Sequence, residues 1–243
     1  MNPTEFSKLQ GPLDAEGEFA ASRQTVYVYE TAVRLWHWIS ALAIVVLCVT
    51  GYLIGSPPPS VPGDASDYFL MGYIRYAHFS AGYIVAAALC FRFYWALVGN
   101  RYARQIFFPP VFDRLWQWGL LYELKWYLFM VNTPKKYIGH NPMANAAMSS
   151  FLLVLIFMIW SGLALYSQGA GSDSWQAVLA GWLFFFFPNS QDLHTWHHLG
   201  MWSIVVFVVI HIYAAVREDI LSRQSMISSI VSGERVFRDD FRH

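Results

Sequence analysis

The chain has 243 residues, 56% of them hydrophobic and only 13% charged, and its 16 basic and 16 acidic side chains leave no net formal charge. A soluble domain carries about a quarter charged residues, so this composition excludes an ordinary soluble enzyme and fits a membrane protein. There is no basic surplus to hold a phosphate backbone, and no nucleic-acid partner is expected.

The first 24 residues are polar, with Glu5, Asp14, Glu16 and Glu18, and read as a loose cytoplasmic tail. They hold no short apolar core behind a basic front, so no cleavable signal peptide is expected. Residues 25–217 read as one membrane domain. Its first span is 35–55, "LWHWISALAIVVLCVTGYLIG", and its second is 73–99. Each is long enough to cross a hydrocarbon core, which takes about 20 residues. The stretch 107–130 is oily but carries Asp113, Arg114, Glu123 and Lys125, and predicts an amphipathic helix lying in the interface. The third span is 144–167. The run 175–188, "WQAVLAGWLFFFFP", is too short to cross and predicts a helix resting on the opposite surface. The fourth span is 197–216, and 218–243 reads as a second polar cytoplasmic tail. No span alternates like a strand, so the fold class is an all-α, four-helix membrane bundle with interfacial helices rather than a barrel.

Basic residues set the orientation. The middle loop has Arg101, Arg104, Arg114, Lys125, Lys135 and Lys136, and the C-terminal tail has Arg217, Arg223, Arg235, Arg238 and Arg242. The outer segments 56–72 and 168–196 contain no Lys or Arg and carry Asp64, Asp67, Asp173 and Asp192. The positive-inside rule then places both termini in the cytoplasm, with Arg75 the exception. Cys48 and Cys90 lie in spans, outside any C-x-x-C-H, and read as small buried hydrophobes; covalently attached haem has no support.

Ionisable groups within spans are costly, and His37, His78, His197 and His211 all fall there. With alternating span directions, His78 and His197 share an outer depth, while His37 and His211 share an inner one. His197 and His211 are 14 residues apart. In a helix that is about 21 Å of depth and about 40° short of whole turns, so both face one side. His194 and His198 fall off that face. One helix supplying two imidazoles, and two others supplying one each, describes two stacked, bis-histidine haems that carry electrons and bind no substrate. Gly51, Gly82 and Gly200 fall where a flat macrocycle needs room, though small residues also serve close helix packing. Arg34 and Arg75 each precede a histidine by three and suit haem propionates; an inner-edge anchor serves equally for Arg34. Arg92 faces the inner layer or snorkels to the cytoplasm.

A competing reading starts from "HTWHH", the H-x-x-H-H box of membrane di-iron desaturases and hydroxylases. Such enzymes need several boxes on one membrane side. This chain has one, and its other buried histidines are a bilayer apart.

The segments "RLWHW", "GYIRYAHFSAG", "WALVGNRYAR", "IGHNPMA", "DLHTWHHLGMW" and "HIYAAVRED" resemble the b-type cytochrome subunit of membrane-bound nickel–iron hydrogenases over about residues 26–234. A more distant likeness is to the cytochrome subunit of membrane formate dehydrogenases. The first resemblance implies two b haems, one of them labile in some members, ligated by His37, His78, His197 and His211. It also implies an inner-membrane anchor for a periplasmic hydrogenase of small and large subunits. Such an anchor has no H2-activating site of its own and passes electrons to quinone. A quinone site beside the inner haem would be cytoplasmic, with His140 and Asn141 as candidates. Asn141 before Pro142 equally suits the capped start of a helix.

Overall fold

The computed structural model describes residues 24–59, 62–64, 68–223 and 225–237. The polar tail ahead of Gln24, Asp67 and the last six residues lie outside them. Four long apolar helices dominate: α1 (Thr31–Gly55), α2 (Leu70–Val98), α4 (Pro142–Ala170) and α7 (Ser190–Leu221). Each runs past its predicted span at one or both ends. The extension is greatest in α7, where Asn189 accepts from the Gln191 amide at 3.0 Å and so starts the helix seven residues before His197.

Large apolar side chains such as Leu42, Leu153 and Val209 point outward. In water that would be a defect; in lipid it is the required outer surface. The inward faces are narrow and small. Ala43 and Ile44 of α1, Ala81 and Val85 of α2, Leu155 of α4 and Ile204 of α7 pack as the central core. By position along each helix, that core separates the depth of His37 and His211 from the depth of His78 and His197.

Shorter elements close the two ends. Asp113 accepts from the Leu115 amide at 2.9 Å and starts α3 (Arg114–Tyr127). The helix predicted from residue 107 therefore begins seven residues late, because Pro109 and Pro110 have no amide hydrogens to continue one. The polarity of α3 is also inverted. Leu115, Trp118 and Leu121 are exposed, whereas Glu123 is 2% exposed and faces the protein. At the other end, α5 (Trp175–Ala180) and α6 (Leu183–Phe186) replace the single predicted surface helix. Their Ala180 and Leu183 pack on Ala164 of α4 and Leu193 of α7.

Helix α8 (Met226–Ser232) leads to one feature the composition gave no hint of, a two-stranded antiparallel ribbon. Strand β1 (Gln24–Tyr27) pairs with β2 (Glu234–Phe237), in register Gln24↔Phe237 to Tyr27↔Glu234. Gly233, at φ +88°, makes the turn into β2; a Cβ there would sit 2.6 Å from the Tyr29 carbonyl oxygen. The ribbon ties the start of α1 to the segment after α7. Glu30 adds a second tie, accepting from Trp95 Nε1 and the Asn100 amide, each at 2.9 Å, at the end of α2.

Candidate haem-binding sites

The four span histidines meet as two pairs. The imidazole centroids of His78 and His197 are 6.4 Å apart, and those of His37 and His211 are also 6.4 Å apart. Two imidazoles bound trans to one metal through bonds of about 2 Å place their ring centres about 6 Å apart. The pairing and the separation both fit an iron between each pair. The H-x-x-H-H box does not act as a unit. His194 Nδ1 turns to the Ser190 carbonyl at 2.9 Å, and His198 Nε2 accepts from Trp202 Nε1 at 3.1 Å.

The outer pair is held by hydroxyls. Thr50 Oγ1 of α1 lies 2.9 Å from His78 Nδ1, and Ser161 Oγ of α4 lies 2.7 Å from His197 Nδ1. Beside each hydroxyl stands a glycine. A Cβ on Gly51 would approach His78 Cε1 to 3.2 Å, and one on Gly162 would approach His197 Cε1 to 3.4 Å. Gly51 thus makes room for an imidazole, where the sequence suggested room for a flat macrocycle. Gly162, Thr50 and Ser161 carry no charge and do not stand out in the sequence; the signal they carry is a hydroxyl–glycine dipeptide at the depth of the outer histidines. Gly82 has open space beside it, the nearest atom to a Cβ being Leu47 Cδ2 at 4.0 Å. Gly200 instead receives Met158 of α4, whose sulfur would lie 2.4 Å from a Cβ, a helix-packing contact.

The inner pair is set differently. His37 Nδ1 is buried with no hydrogen-bond partner, and the His211 ring stacks on Phe207 at 5.7 Å with the planes 6° apart. Cations surround this end. Arg92, 2% exposed, donates to the Ala103 carbonyl and lies 5.3 Å from the Trp36 ring, leaving Nε and Nη1 without partners. Arg34 donates to the Val231 carbonyl and, at 2.9 Å, to Thr31 Oγ1, with Nε unpartnered. Buried guanidinium donors without acceptors are costly unless something anionic completes them, and a carboxylate has the chemistry to do so. Arg75 is exposed at the outer end of α2, with no ion pair among the described residues.

His140 and Asn141 sit below the inner pair. Asn141 Oδ1 accepts from the Ala144 amide at 2.6 Å ahead of Pro142, so it caps α4, and its Nδ2 donates to Glu123 Oε2 at 3.3 Å. His140 lies edge-on to Tyr29, with Nδ1 3.3 Å from Gln105 Oε1. Burial, then the Arg235 and Arg92 cations, pull its imidazole down to about 4, so it stays neutral at physiological pH. Burial also pushes the Glu123 carboxyl up to about 7, opposed by a Tyr137 hydrogen bond and reinforced by Glu218. Glu218 itself pairs with Arg217 at 3.1 Å and accepts from Trp126 Nε1 at 2.7 Å, which fastens α3 to the inner end of α7.

The family model for prokaryotic cytochrome b561 matches residues 28–233. The probable Ni/Fe-hydrogenase B-type cytochrome subunit of Bradyrhizobium diazoefficiens is 60% identical, over 93% of this chain and 92% of its own length. The protein of the same name from Rhizobium leguminosarum bv. viciae is also 60% identical, over 93% and 95%. The probable Ni/Fe-hydrogenase 1 B-type cytochrome subunit of Escherichia coli K12 is 49% identical, over 86% and 90%.

Proposed function

The chain belongs to the prokaryotic cytochrome b561 family, and on that premise we propose that it is the di-haem membrane anchor through which a nickel–iron hydrogenase delivers electrons to quinone. The observation that carries this reading is the two facing histidine pairs, each 6.4 Å between ring centres, at two depths of one bundle. When bound there, b haem would supply one-electron transfer, with the four span histidines holding it.

The chain's residues divide the remaining work. His78 and His197 hold the outer group, and His37 and His211 the inner one. Arg92 and Arg34 meet carboxylates at the inner end and Arg75 at the outer. The apolar core between the layers keeps water out of the path. His140, neutral and held by Gln105, is the stronger of the two quinone candidates, because the Asn141 side chain is already engaged in capping α4 and bonding Glu123. The distribution of Lys and Arg supports cytoplasmic termini in a bacterial inner membrane, with the hydrogenase small and large subunits docked at the outer end. Hydrogen activation then belongs to that partner. The relatives named above are hydrogenase cytochromes, which sets aside the formate dehydrogenase alternative and the di-iron one.

The test is haem content in the intact complex. A pyridine haemochrome assay should approach two b haems per chain, both reducible by H2. A folded complex with no haem would overturn the reading.

A further inference from the structure

The same two-residue device occurs twice, on different helices, and only at the outer layer. Thr50-Gly51 of α1 addresses His78 of α2, and Ser161-Gly162 of α4 addresses His197 of α7. Each hydroxyl also reaches the carbonyl one turn back on its own helix: Thr50 Oγ1 donates to the Val46 carbonyl at 2.6 Å, and Ser161 Oγ to that of Phe157 at 2.7 Å. Such back-bonding alone is ordinary in membrane helices, and Ser150 and Ser203 also do it, to Ala146 and Leu199. At Thr50 and Ser161 it has a consequence. A hydroxyl has one proton, and here the backbone carbonyl takes it. The oxygen is then an acceptor toward the imidazole, so the histidine proton sits on Nδ1 and the Nε2 lone pair is free for iron.

The inner layer lacks this device. His37 Nδ1 is buried without a partner, as is the hydroxyl of Ser40 one turn along, and the His211 ring is stacked on Phe207. A ligand imidazole that donates its other N–H becomes more basic and favours the oxidised metal. Resting on the haem reading above, we propose that Thr50 and Ser161 are positioning residues. They fix the tautomer of both outer ligands and make the outer haem the lower-potential one of the two. The asymmetry favours electron movement from the outer layer to the inner.

The experiment is an anaerobic redox titration of the b-type absorption band in membranes holding the whole complex. It compares wild type, Thr50→Val, Ser161→Ala, the double variant and Thr50→Ser, with haem content assayed in each. Valine keeps the shape of threonine, and serine keeps the hydroxyl. In the double variant the lower-potential component should rise by roughly tenfold in its reduction equilibrium, about 59 mV for one electron, while the other component stays. Thr50→Ser should match wild type, even if Thr50→Val loses the outer haem. The inference is overturned if the double variant moves neither component or both alike, or if Thr50→Ser departs as far as Thr50→Val. A wild type without two b-type components would overturn the underlying haem reading instead.

Discussion

His197 and His198 are neighbours in sequence with opposite fates. One faces Ser161 and His78, and the other turns to Trp202 on its own helix. Replacing His197 by alanine should remove the outer haem, whereas His198→Ala and His194→Ala should spare both, as read by haemochrome content. Loss of a haem on His198→Ala with retention on His197→Ala would mean the helical phase is wrong. Glu123 carries a second residue-scale prediction. Its folded-state carboxyl, near 7, lies above the value of about 4.3 in an unfolded chain. The folded form therefore binds the proton more tightly, and the stability this contributes falls as pH rises from about 4.3 to 7, then levels. Tyr137 and Lys135 of the loop after α3, Tyr127 at the end of α3, and Glu218 and Arg217 of α7 are the charged or titratable groups facing it. Glu123→Gln should raise the thermal midpoint in detergent at pH 8 relative to wild type and leave it nearly unchanged near pH 4. An equal shift at both would place the effect outside Glu123 ionisation.

At the scale of elements, glycines of similar sequence context have different consequences. Gly51 and Gly162 lie against imidazole rings, so valine at either should displace a ligand and lower haem content. Gly200 lies against the flexible end of Met158, which can swing aside, so Gly200→Ala should keep both haems with a small stability change. Visible spectra of purified variants separate the two cases, and equal haem loss at Gly200 would contradict them. The start of α4 is a further element-scale case. Asn141→Ala removes a cap worth about 1 kcal/mol and also strips Glu123 Oε2 of its amide donor. The variant should lose thermal stability whether or not quinone turnover changes. His140→Ala should lower quinone turnover while both haems stay reducible by H2. If Asn141→Ala matched wild-type stability, the cap would not be what holds this entry in place.

For the whole molecule, the two layers define a direction. On the function proposed above, electrons entering at the outer end and quinone protonated from the cytoplasm would separate charge across the bilayer, and each charge moved is worth about 2.3 kcal/mol per 100 mV. His37→Met and His211→Met should therefore abolish H2-driven quinone reduction. Oxidation of H2 with an artificial dye should survive, because a dye accepts electrons at the outer partner. Quinone reduction at the wild-type rate in these variants would put the quinone site beside the outer haem and remove the charge separation.

The bundle and the pairing of its four span histidines were legible in the chain because both rest on simple periodicities. About 20 apolar residues span a bilayer, and a 14-residue spacing returns to one helical face whatever the neighbours do. Histidines among aliphatic residues stand out for the same reason, since a polar group there needs a partner. What tertiary structure decided depends on contacts between distant segments. The inverted polarity of α3 follows from Glu123 meeting Asn141, Tyr137 and the end of α7. The β1–β2 ribbon pairs residues more than 200 positions apart, through backbone groups that any sequence carries. Thr50 and Ser161 look like any small membrane hydroxyls until two other helices bring His78 and His197 against them, and only then does a side chain that would merely bond its own helix fix which nitrogen of a ligand is free to bind iron.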